Sequence, residues 1–257
     1  MIFTVSTKHD DATASTRAAP GKDEIHVWTA RPLSHKGDDI EQLRRTLSRD
    51  ESGRADRLRP GPGRDMFIAT RGILRRILSI YLGKEPGDIE FGYGKGGKPF
   101  VRGSEITPPI SFNLSHSHEV AMYAFAAGRE VGIDVERLRE VRKPEDVIRR
   151  FFSETESEFY RSRPEELRLE AFFRLWTFRE ASVKASGRGV FTKDKGLVIP
   201  GAPPSSWLHD PVSPVSIGGS WSLVGVDGPR GYVAAVAIEG EAPRVRRFEF
   251  PAGLRQP

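Results

Sequence analysis

Residues 120–137 read VAMYAFAAGREVGIDVER, and this stretch decides the fold class. Val120 to Ala127 is an unbroken apolar run, and Glu130 to Arg137 alternates polar and apolar residues as a half-buried strand does. Gly128-Arg129 between them favours a tight antiparallel turn. The stretch therefore predicts two strands joined as a hairpin.

Two long helices are predicted, one on each side of this stretch. Arg64 to Leu82 carries apolar residues at helical spacing and ends at Gly83, a typical helix stop. Pro164 to Ser186 forms the second, and the strands Trp221 to Val224 and Tyr232 to Ile238 follow it. Each half of the chain thus combines a long helix with an antiparallel pair, which predicts the α+β class, although no repeat proves a duplication.

The composition is that of a globular protein. The chain has 257 residues, enough for one large domain or two small lobes. With 37% hydrophobic and 29% charged residues, wholesale disorder and a fibrous repeat are excluded. Forty Lys and Arg against 35 Asp and Glu give a net charge of +5. This balance favours anionic partners such as phosphates, nucleic acid or an acidic protein.

The sequence contains no cysteine. Disulfides, thiolate metal sites and a cysteine nucleophile are therefore excluded, and nothing argues for an oxidising compartment. Residues 6–22 lack the apolar core of a signal peptide, and the apolar run from Val120 is far shorter than the ~20 residues of a membrane-spanning helix. We expect a cytoplasmic protein with a flexible N-terminal tail and no membrane partner.

The glycine-rich segment Gly92 to Lys98 has the spacing of a nucleotide-binding loop. That mechanism needs a helix directly after the loop, and Pro99 leads into a strand-like pair instead. A Rossmann or phosphate-loop site is therefore disfavoured. Two interpretations stay open: a flexible turn, or a loop that places the ammonium groups of Lys95 and Lys98 against a phosphate.

Asp134 and Glu136 lie on the same face of a predicted strand. Same-face neighbours are ~6.6 Å apart along a strand, within reach of one hard cation. The alternative is an ordinary solvated strand face. In the second long helix, Glu180 and Lys184 prolong a stripe formed by Phe173 and Trp176. A surface ion pair would stabilise the helix by only ~0.3–0.5 kcal/mol, so the stripe favours a third metal carboxylate with a lysine for a phosphate.

The segment Asn113 to His118 is polar and contains serine beside histidine. No G-x-S-x-G motif occurs, and adjacent residues of an extended segment point apart, so a hydrolase triad is disfavoured. Zinc binding by His116 and His118 lacks a third nearby ligand.

Three motifs resemble, in order and spacing, the signature blocks of the surfactin-type 4′-phosphopantetheinyl transferases. They are FNLSHS at 112–117, VGIDVE at 131–136 and WTFREASVKA at 176–185. Smaller landmarks at 97–99, 151–156 and 187–190 also look like that family. The resemblance covers roughly Ile25 to Ile238, and the ordered set is far more specific than any one motif. Arg179 departs from the family, which usually has lysine there.

The resemblance implies a fold of two pseudo-symmetric lobes, each a long helix packed on a small antiparallel sheet, with the active site between them. The implied division is a tail at 1–22, lobes at 23–128 and 129–250, and a tail at 251–257. The implied reaction uses coenzyme A and Mg²⁺ or Mn²⁺. The serine hydroxyl of an apo acyl or peptidyl carrier protein attacks the pyrophosphate, taking phosphopantetheine and releasing adenosine 3′,5′-bisphosphate. We expect a monomer without nucleic acid as partner.

The resemblance also implies roles for individual residues. The metal carboxylates would be Asp134, Glu136 and Glu180. Coenzyme A would be bound by Lys98, Ser115, His116 and Lys184, and more loosely by Arg57 and Arg71; we also expect contacts from Lys95 in the glycine-rich loop and from Asn113. The catalytic groups would be His116, Lys184 and Glu156, the last as general base. Ser153-x-x-Glu156 also predicts a helix capping box, an interpretation of equal weight.

Two other functions compete with transfer. A metal-dependent phosphodiesterase would use the same carboxylates on water instead of serine. A nucleic-acid-binding protein would explain the net charge and the arginines from Arg44 to Arg76. It would leave the carboxylates and the Trp–Glu–Lys stripe of the second helix unexplained.

Overall fold

The computed structural model describes residues 19–94, 96–103, 105–187, 215–217 and 221–252. The strands are β1 (Glu24–Ala30), β2 (Phe91–Tyr93), β3 (Pro99–Val101), β4 (Ile110–Ser117), β5 (Val120–Ala127), β6 (Val131–Arg137), β7 (Val215–Ile217), β8 (Trp221–Val226), β9 (Tyr232–Glu239) and β10 (Arg244–Glu249). The helices are α1 (Asp38–Arg44), α2 (Arg49–Arg57), α3 (Pro62–Leu82), α4 (Pro144–Phe151), α5 (Glu154–Arg161) and α6 (Glu165–Ser186). The α+β class is confirmed.

The N-terminal sheet has the strand order β10-β1-β5-β4. Strand β10 runs parallel to β1, and the other pairs are antiparallel. Helix α3 covers one face of this sheet, because its apolar residues Ile73 and Leu74 pack with Trp28, Phe112 and Tyr123. This sheet is therefore mixed, where the sequence predicts an antiparallel one.

The C-terminal sheet has the order β6-β9-β8-β7 and is antiparallel throughout. Helix α6 covers its outer face, with Phe173, Leu175 and Phe178 in a cluster that includes Ala235 and Ala237 of β9. The two sheets thus repeat one plan, a long helix on four strands.

The two sheets face each other through a third apolar cluster. It joins Val120, Met122 and Ala124 of β5 to Ile133 of β6 and Val236 of β9. The opposite face of β5 carries Tyr123 and Phe125 toward α3. Because β5 is buried on both faces, it reads as an unbroken apolar run rather than an alternating one.

The predicted hairpin between β5 and β6 is wrong. Both edges of β5 are already paired, with β1 on one side and β4 on the other, so no edge is open for β6. The chain instead turns at Gly128, which has φ +65°, and crosses to the second sheet, where β6 pairs with β9. The turn residues fit a hairpin equally well, so only the strand pairing decides the connection.

Helix α2 and strand β10 are among the elements that the sequence analysis did not predict. Helix α2 begins with a capping box of Ser48 and Glu51, in a stretch that reads as basic and irregular. Strand β10 lies within 129–250, the predicted C-terminal lobe, but pairs with β1 in the N-terminal sheet. Among the described residues, no helix is both long and apolar enough to cross a membrane.

Candidate active site

Helix α6 touches strand β6 at Gly132. A β-carbon at this position would lie 2.1 Å from the carbonyl oxygen of Ala181 and 2.4 Å from the amide nitrogen of Ala185. Both distances are far inside van der Waals contact, so only glycine lets the helix backbone approach the strand this closely. As a result, the last turns of α6 lie directly beside Asp134 of the same strand.

Lys184, Asp134 and Ser115 form a buried polar cluster where α6, β6 and β4 meet. The ammonium group of Lys184 donates to Asp134 Oδ1 at 2.6 Å and to Ser115 Oγ at 2.9 Å. Ser115 Oγ in turn donates to the same Asp134 Oδ1 at 2.8 Å. The structure therefore brings together three residues that are far apart in the sequence and belong to the three predicted motifs.

Alternate residues of β4 point toward β6 and hold it. Asn113 Oδ1 accepts a hydrogen bond from the backbone N–H of Ile133 at 3.1 Å. Two positions on from Ser115, Ser117 Oγ donates to Glu136 Oε2 at 2.8 Å. Because residues two apart on a strand share a face, Asn113, Ser115 and Ser117 form one polar row along the seam between the sheets.

The three predicted metal carboxylates share one electrostatic environment. Burial raises the pKa of Asp134, of Glu136 and of Glu180 above the ordinary values, and repulsion from Asp134 adds to this for the other two. Lys184 acts in the opposite direction on all three. Arg139 adds to the effect of Lys184 on Glu136, and Arg179 adds to it on Glu180.

This donor set fits a hard divalent cation. Carboxylate oxygens are the ligands that Mg²⁺ and Mn²⁺ prefer, and Asp134 Oδ2 is buried with no hydrogen-bond partner in the described part of the chain. A buried, unpaired carboxylate oxygen is costly unless something binds it. Nowhere in the described ranges do three His, Asp or Glu side chains already converge as a ligand group; Asp134 Oδ1 holds Lys184 instead.

Lys98 is used differently from the prediction. Its ammonium donates to Glu130 Oε2 at 2.5 Å and to the carbonyl oxygens of Val131 and Ala185 at 2.8 and 3.1 Å. These three acceptors account for its three protons, so Lys98 ties the segment before β3 to β6 and α6. A phosphate contact would require an exchange of partners. Lys95 lies outside the described residues.

His116 stands apart from the polar row. It is exposed, on the opposite face of β4 from its neighbours Ser115 and Ser117. Its ring is therefore accessible to a ligand, while the structure does not bring it to the carboxylates.

The two predicted basic positions of the N-terminal half also lie apart from the carboxylates. Arg57 is exposed at the end of α2. Arg71 Nε is 3.7 Å from Oε1 of the buried Glu51, and Arg71 Nη1 is buried with no hydrogen-bond partner among the described residues. Glu51 also binds Arg75 Nε at 2.6 Å. Sequence reasoning missed Glu51, whose Ser48-x-x-Glu51 spacing was its only signal.

Glu156 closes the capping box of α5. Its Oε2 accepts the backbone N–H of Ser153 at 2.7 Å, Ser153 Oγ accepts the backbone N–H of Glu156, and the side chain is 1% exposed. The capping interpretation is confirmed. No contact joins Glu156 to Asp134 or Glu180 within the described ranges.

Comparison with known proteins shows which family this chain resembles. Residues 130–236 match the 4′-phosphopantetheinyl transferase superfamily. The chain is 38% identical over 219 residues to the 4′-phosphopantetheinyl transferase HetI of Nostoc sp. (strain PCC 7120), covering 85% of this chain and 89% of that relative. It is 31% identical to the putative 4′-phosphopantetheinyl transferase slr0495 of Synechocystis sp. (strain PCC 6803) over 64% of this chain and 65% of the relative.

A more distant relative is the 4′-phosphopantetheinyl transferase Sfp of Bacillus subtilis. It is 28% identical over 118 residues, which cover 46% of this chain and 50% of that relative. The sequence-based prediction of a transferase is thereby confirmed. The chain belongs to the 4′-phosphopantetheinyl transferase superfamily.

Proposed function

We propose that this protein transfers 4′-phosphopantetheine from coenzyme A to a serine of an apo acyl or peptidyl carrier protein, with Asp134, Glu136 and Glu180 holding Mg²⁺ or Mn²⁺. Within the superfamily we assign it to the surfactin-type enzymes on the strength of its ordered motifs. The observation that carries the proposal is the cluster of Lys184, Ser115 and Asp134, in which Asp134 Oδ2 is buried without a hydrogen-bond partner among the described residues.

The transfer reaction requires both carboxylates that bind a cation and an ammonium group near the phosphate. In the transfer, the carrier serine oxygen forms a bond to phosphorus while the bond to adenosine 3′,5′-bisphosphate breaks, and negative charge develops on the leaving phosphate. A divalent cation supplies charge neutralisation for the phosphate oxygens. Lys184 Nζ donates to Asp134 Oδ1, to Ser115 Oγ and to the carbonyl of Ile133, so it lies beside the carboxylate and would exchange one of these partners to meet a phosphate.

The other residues predicted to contact coenzyme A are of two kinds. Some are accessible to a ligand, and others already form hydrogen bonds within the protein. His116 is exposed and can donate to a nucleotide phosphate. Asn113 and Lys98 form hydrogen bonds with β6 and α6, which supports a role for them in holding the walls of the site. Arg71, with its unpaired Nη1, is suited to an anion at the N-terminal side.

Glu156 remains a proposed general base, and one substitution separates its two roles. Gln at the third helical position preserves a capping box but cannot accept a proton as a base. If Glu156 takes the serine proton, Glu156→Gln lowers the transfer rate by about 10²–10⁴-fold at unchanged melting temperature. A Glu156→Gln enzyme with the wild-type rate would restrict this residue to capping.

The experiment that tests the proposal is a transfer assay read by mass. Apo carrier proteins are incubated with the enzyme and coenzyme A, with Mg²⁺ or with excess chelator. We expect the carrier to gain the mass of phosphopantetheine only with the metal, and a carrier whose serine is replaced by alanine to gain none. Full transfer in chelator would contradict the metal assignment.

The same assay addresses the competing functions. A phosphodiesterase would cleave coenzyme A at the same rate without carrier, and no carrier would gain mass. A nucleic-acid-binding protein would leave coenzyme A intact. A cytoplasmic location, a monomeric state and the lobe limits near residues 23, 128 and 250 remain predictions from the sequence.

A further inference from the structure

Ser117 lies at the end of β4 with its hydroxyl between two groups of β6. Its Oγ donates to Glu136 Oε2 at 2.8 Å and accepts from the backbone N–H of Arg137 at 3.2 Å. A serine hydroxyl has one proton, and the bond accepted from Arg137 directs that proton away from the strand and toward the carboxylate. Ser117 therefore fixes one oxygen of Glu136.

Burial makes this contact selective. Ser117 is only 8% exposed, so little water reaches the hydroxyl to compete for the carboxylate. Glutamate has three side-chain torsions, and ordering them has an entropic cost whenever the carboxylate must hold one position. A hydrogen bond that selects that position before any ligand arrives removes part of this cost from ligand binding.

The same arrangement occurs one step back along both strands. Ser115 Oγ donates to Asp134 Oδ1, and Ser117 Oγ donates to Glu136 Oε2. Two serines that are two residues apart on β4 thus face two carboxylates that are two residues apart on β6. Each serine occupies one oxygen of its partner and leaves the other oxygen available.

We propose that Ser117 is a positioning residue, whose hydroxyl holds Oε2 of Glu136 so that the remaining oxygen is oriented to bind the cation. This inference rests on the proposed function, because it takes Glu136 as a metal ligand. Ser117 itself touches neither cation nor substrate. Hydrogen bonds that orient metal-binding carboxylates commonly change metal affinity by 10–100-fold when they are removed.

The test measures metal binding without turnover. Wild type and variants are saturated with coenzyme A in the absence of carrier, and Mn²⁺ is titrated while the electron paramagnetic resonance signal of free Mn²⁺ is recorded. We expect Ser117→Ala to bind Mn²⁺ about tenfold more weakly, and Ser117→Thr, which keeps the hydroxyl, to stay within about twofold of wild type.

A matched control separates positioning from loss of stability. Ser222 is also a buried strand serine, and its Oγ donates to the carbonyl of Gly240 at 2.7 Å, away from the carboxylates. Ser222→Ala should lower the melting temperature by a similar amount and leave Mn²⁺ affinity unchanged. In the transfer assay, Ser117→Ala should need about tenfold more Mg²⁺ for half-maximal rate and recover most of the rate at saturation.

Three results would overturn the inference. They are wild-type Mn²⁺ affinity in Ser117→Ala, an equal loss in Ser222→Ala, or a rate loss in Ser117→Ala that added Mg²⁺ does not reduce. If Ser117→Ala does not fold, Ser117→Cys, a weaker donor, should show the weakened binding, and wild-type affinity there would also overturn it. Failure of the proposed function is seen separately, because the wild type itself would then not transfer phosphopantetheine.

Discussion

The surroundings of the two long helices, α3 and α6, differ in charge balance. Beside α3, the buried carboxylate of Glu51 faces two guanidinium groups, at 2.6 Å from Arg75 and 3.7 Å from Arg71. Beside α6, the ammonium group of Lys184 contacts Asp134, while Arg139 and Arg179 act on Glu136 and Glu180 from a longer range. Beside α3 one carboxylate therefore lies between two guanidinium groups, whereas beside α6 one ammonium contacts one oxygen of a carboxylate whose other oxygen has no partner among the described residues.

The two environments suit different ligands. Buried charges that are fully matched hold elements together, as Glu51 and Arg75 join α2 to α3. Charges left over are available for binding: Arg71 Nη1 for an anion and Asp134 Oδ2 for a cation, both unpartnered among the described residues. Under the proposed function, the phosphates of coenzyme A and a divalent cation would use both. The comparison predicts that loss of the Asp134 carboxylate beside α6 affects activity, and loss of the Glu51 carboxylate beside α3 affects stability.

The largest effect is expected from Asp134→Asn. The amide retains an oxygen for Lys184 and Ser115 but removes the charge that would bind a cation, a contribution of several kcal/mol to phosphoryl transfer, so the rate should fall about a thousandfold. The melting temperature should change little. Mass spectrometry of the carrier and circular dichroism measure the two quantities. An active Asp134→Asn enzyme would show that the charge of Asp134 beside α6 is not needed for activity.

Glu51→Ala should act mainly on stability. It leaves the buried guanidinium of Arg75 without its carboxylate, a change that typically lowers the free energy of unfolding by about 3–5 kcal/mol. Asp56→Ala is the control, because Asp56 pairs with Arg44 at the surface and exposed pairs contribute under about 1 kcal/mol. Urea unfolding measures both. Equal losses in the two variants would refute the structural role of Glu51.

His26 adds a pH dependence to the N-terminal side. Burial lowers the pKa of His26 to about 4, with Arg246 adding to the effect and Glu24 opposing it. Since the unfolded chain binds this proton near pH 6.5 and the folded protein does not, stability is complete above that pH and falls as the pH drops toward 4, by about 3 kcal/mol.

Unfolding of wild type and His26→Gln between pH 7 and pH 4 measures this contribution. The variant should be less stable at pH 7, because His26 Nδ1 contacts the Tyr81 hydroxyl at 2.9 Å, yet lose less stability on acidification. Parallel pH profiles for the two proteins would exclude His26 as the group responsible.

Gly132→Ala is expected to displace α6, because the atoms nearest to the new β-carbon all belong to the helix backbone. A methyl group there must push α6 away from β6, and such overpacking usually costs about 1–3 kcal/mol. Because Glu180 and Lys184 move with the helix, the transfer rate of the folded variant should fall in addition to its free energy of unfolding. Gly53→Ala is the control: its β-carbon meets only Arg57 Nη1 at 3.9 Å, and alanine inside α2 should stabilise the protein by about 0.5–1 kcal/mol.

Local patterns predicted elements better than their partners. Ser153 and Glu156 predict the start of α5, and the helical spacing from Arg64 to Leu82 predicts most of α3, which begins at Pro62. The hairpin of β5 and β6 was wrong because a turn sequence does not reveal which strand edges are already paired. Strand β10 was missed because its pairing with β1 joins residues more than 200 positions apart.

The sequence by itself determined the α+β class, the three motifs and the residue types of the site, because periodicity, capping and oxygen-rich motifs are local properties. Only the tertiary structure decided which groups are free to bind. It shows that Lys98 donates to Glu130 and to two carbonyls and that Ser117 donates to Glu136. It also shows that Glu51 lies between two arginines. The physical reason is that a side chain's burial and its partners depend on strand pairing and on close helix approach, as at Gly132, and these join residues that are distant in the chain.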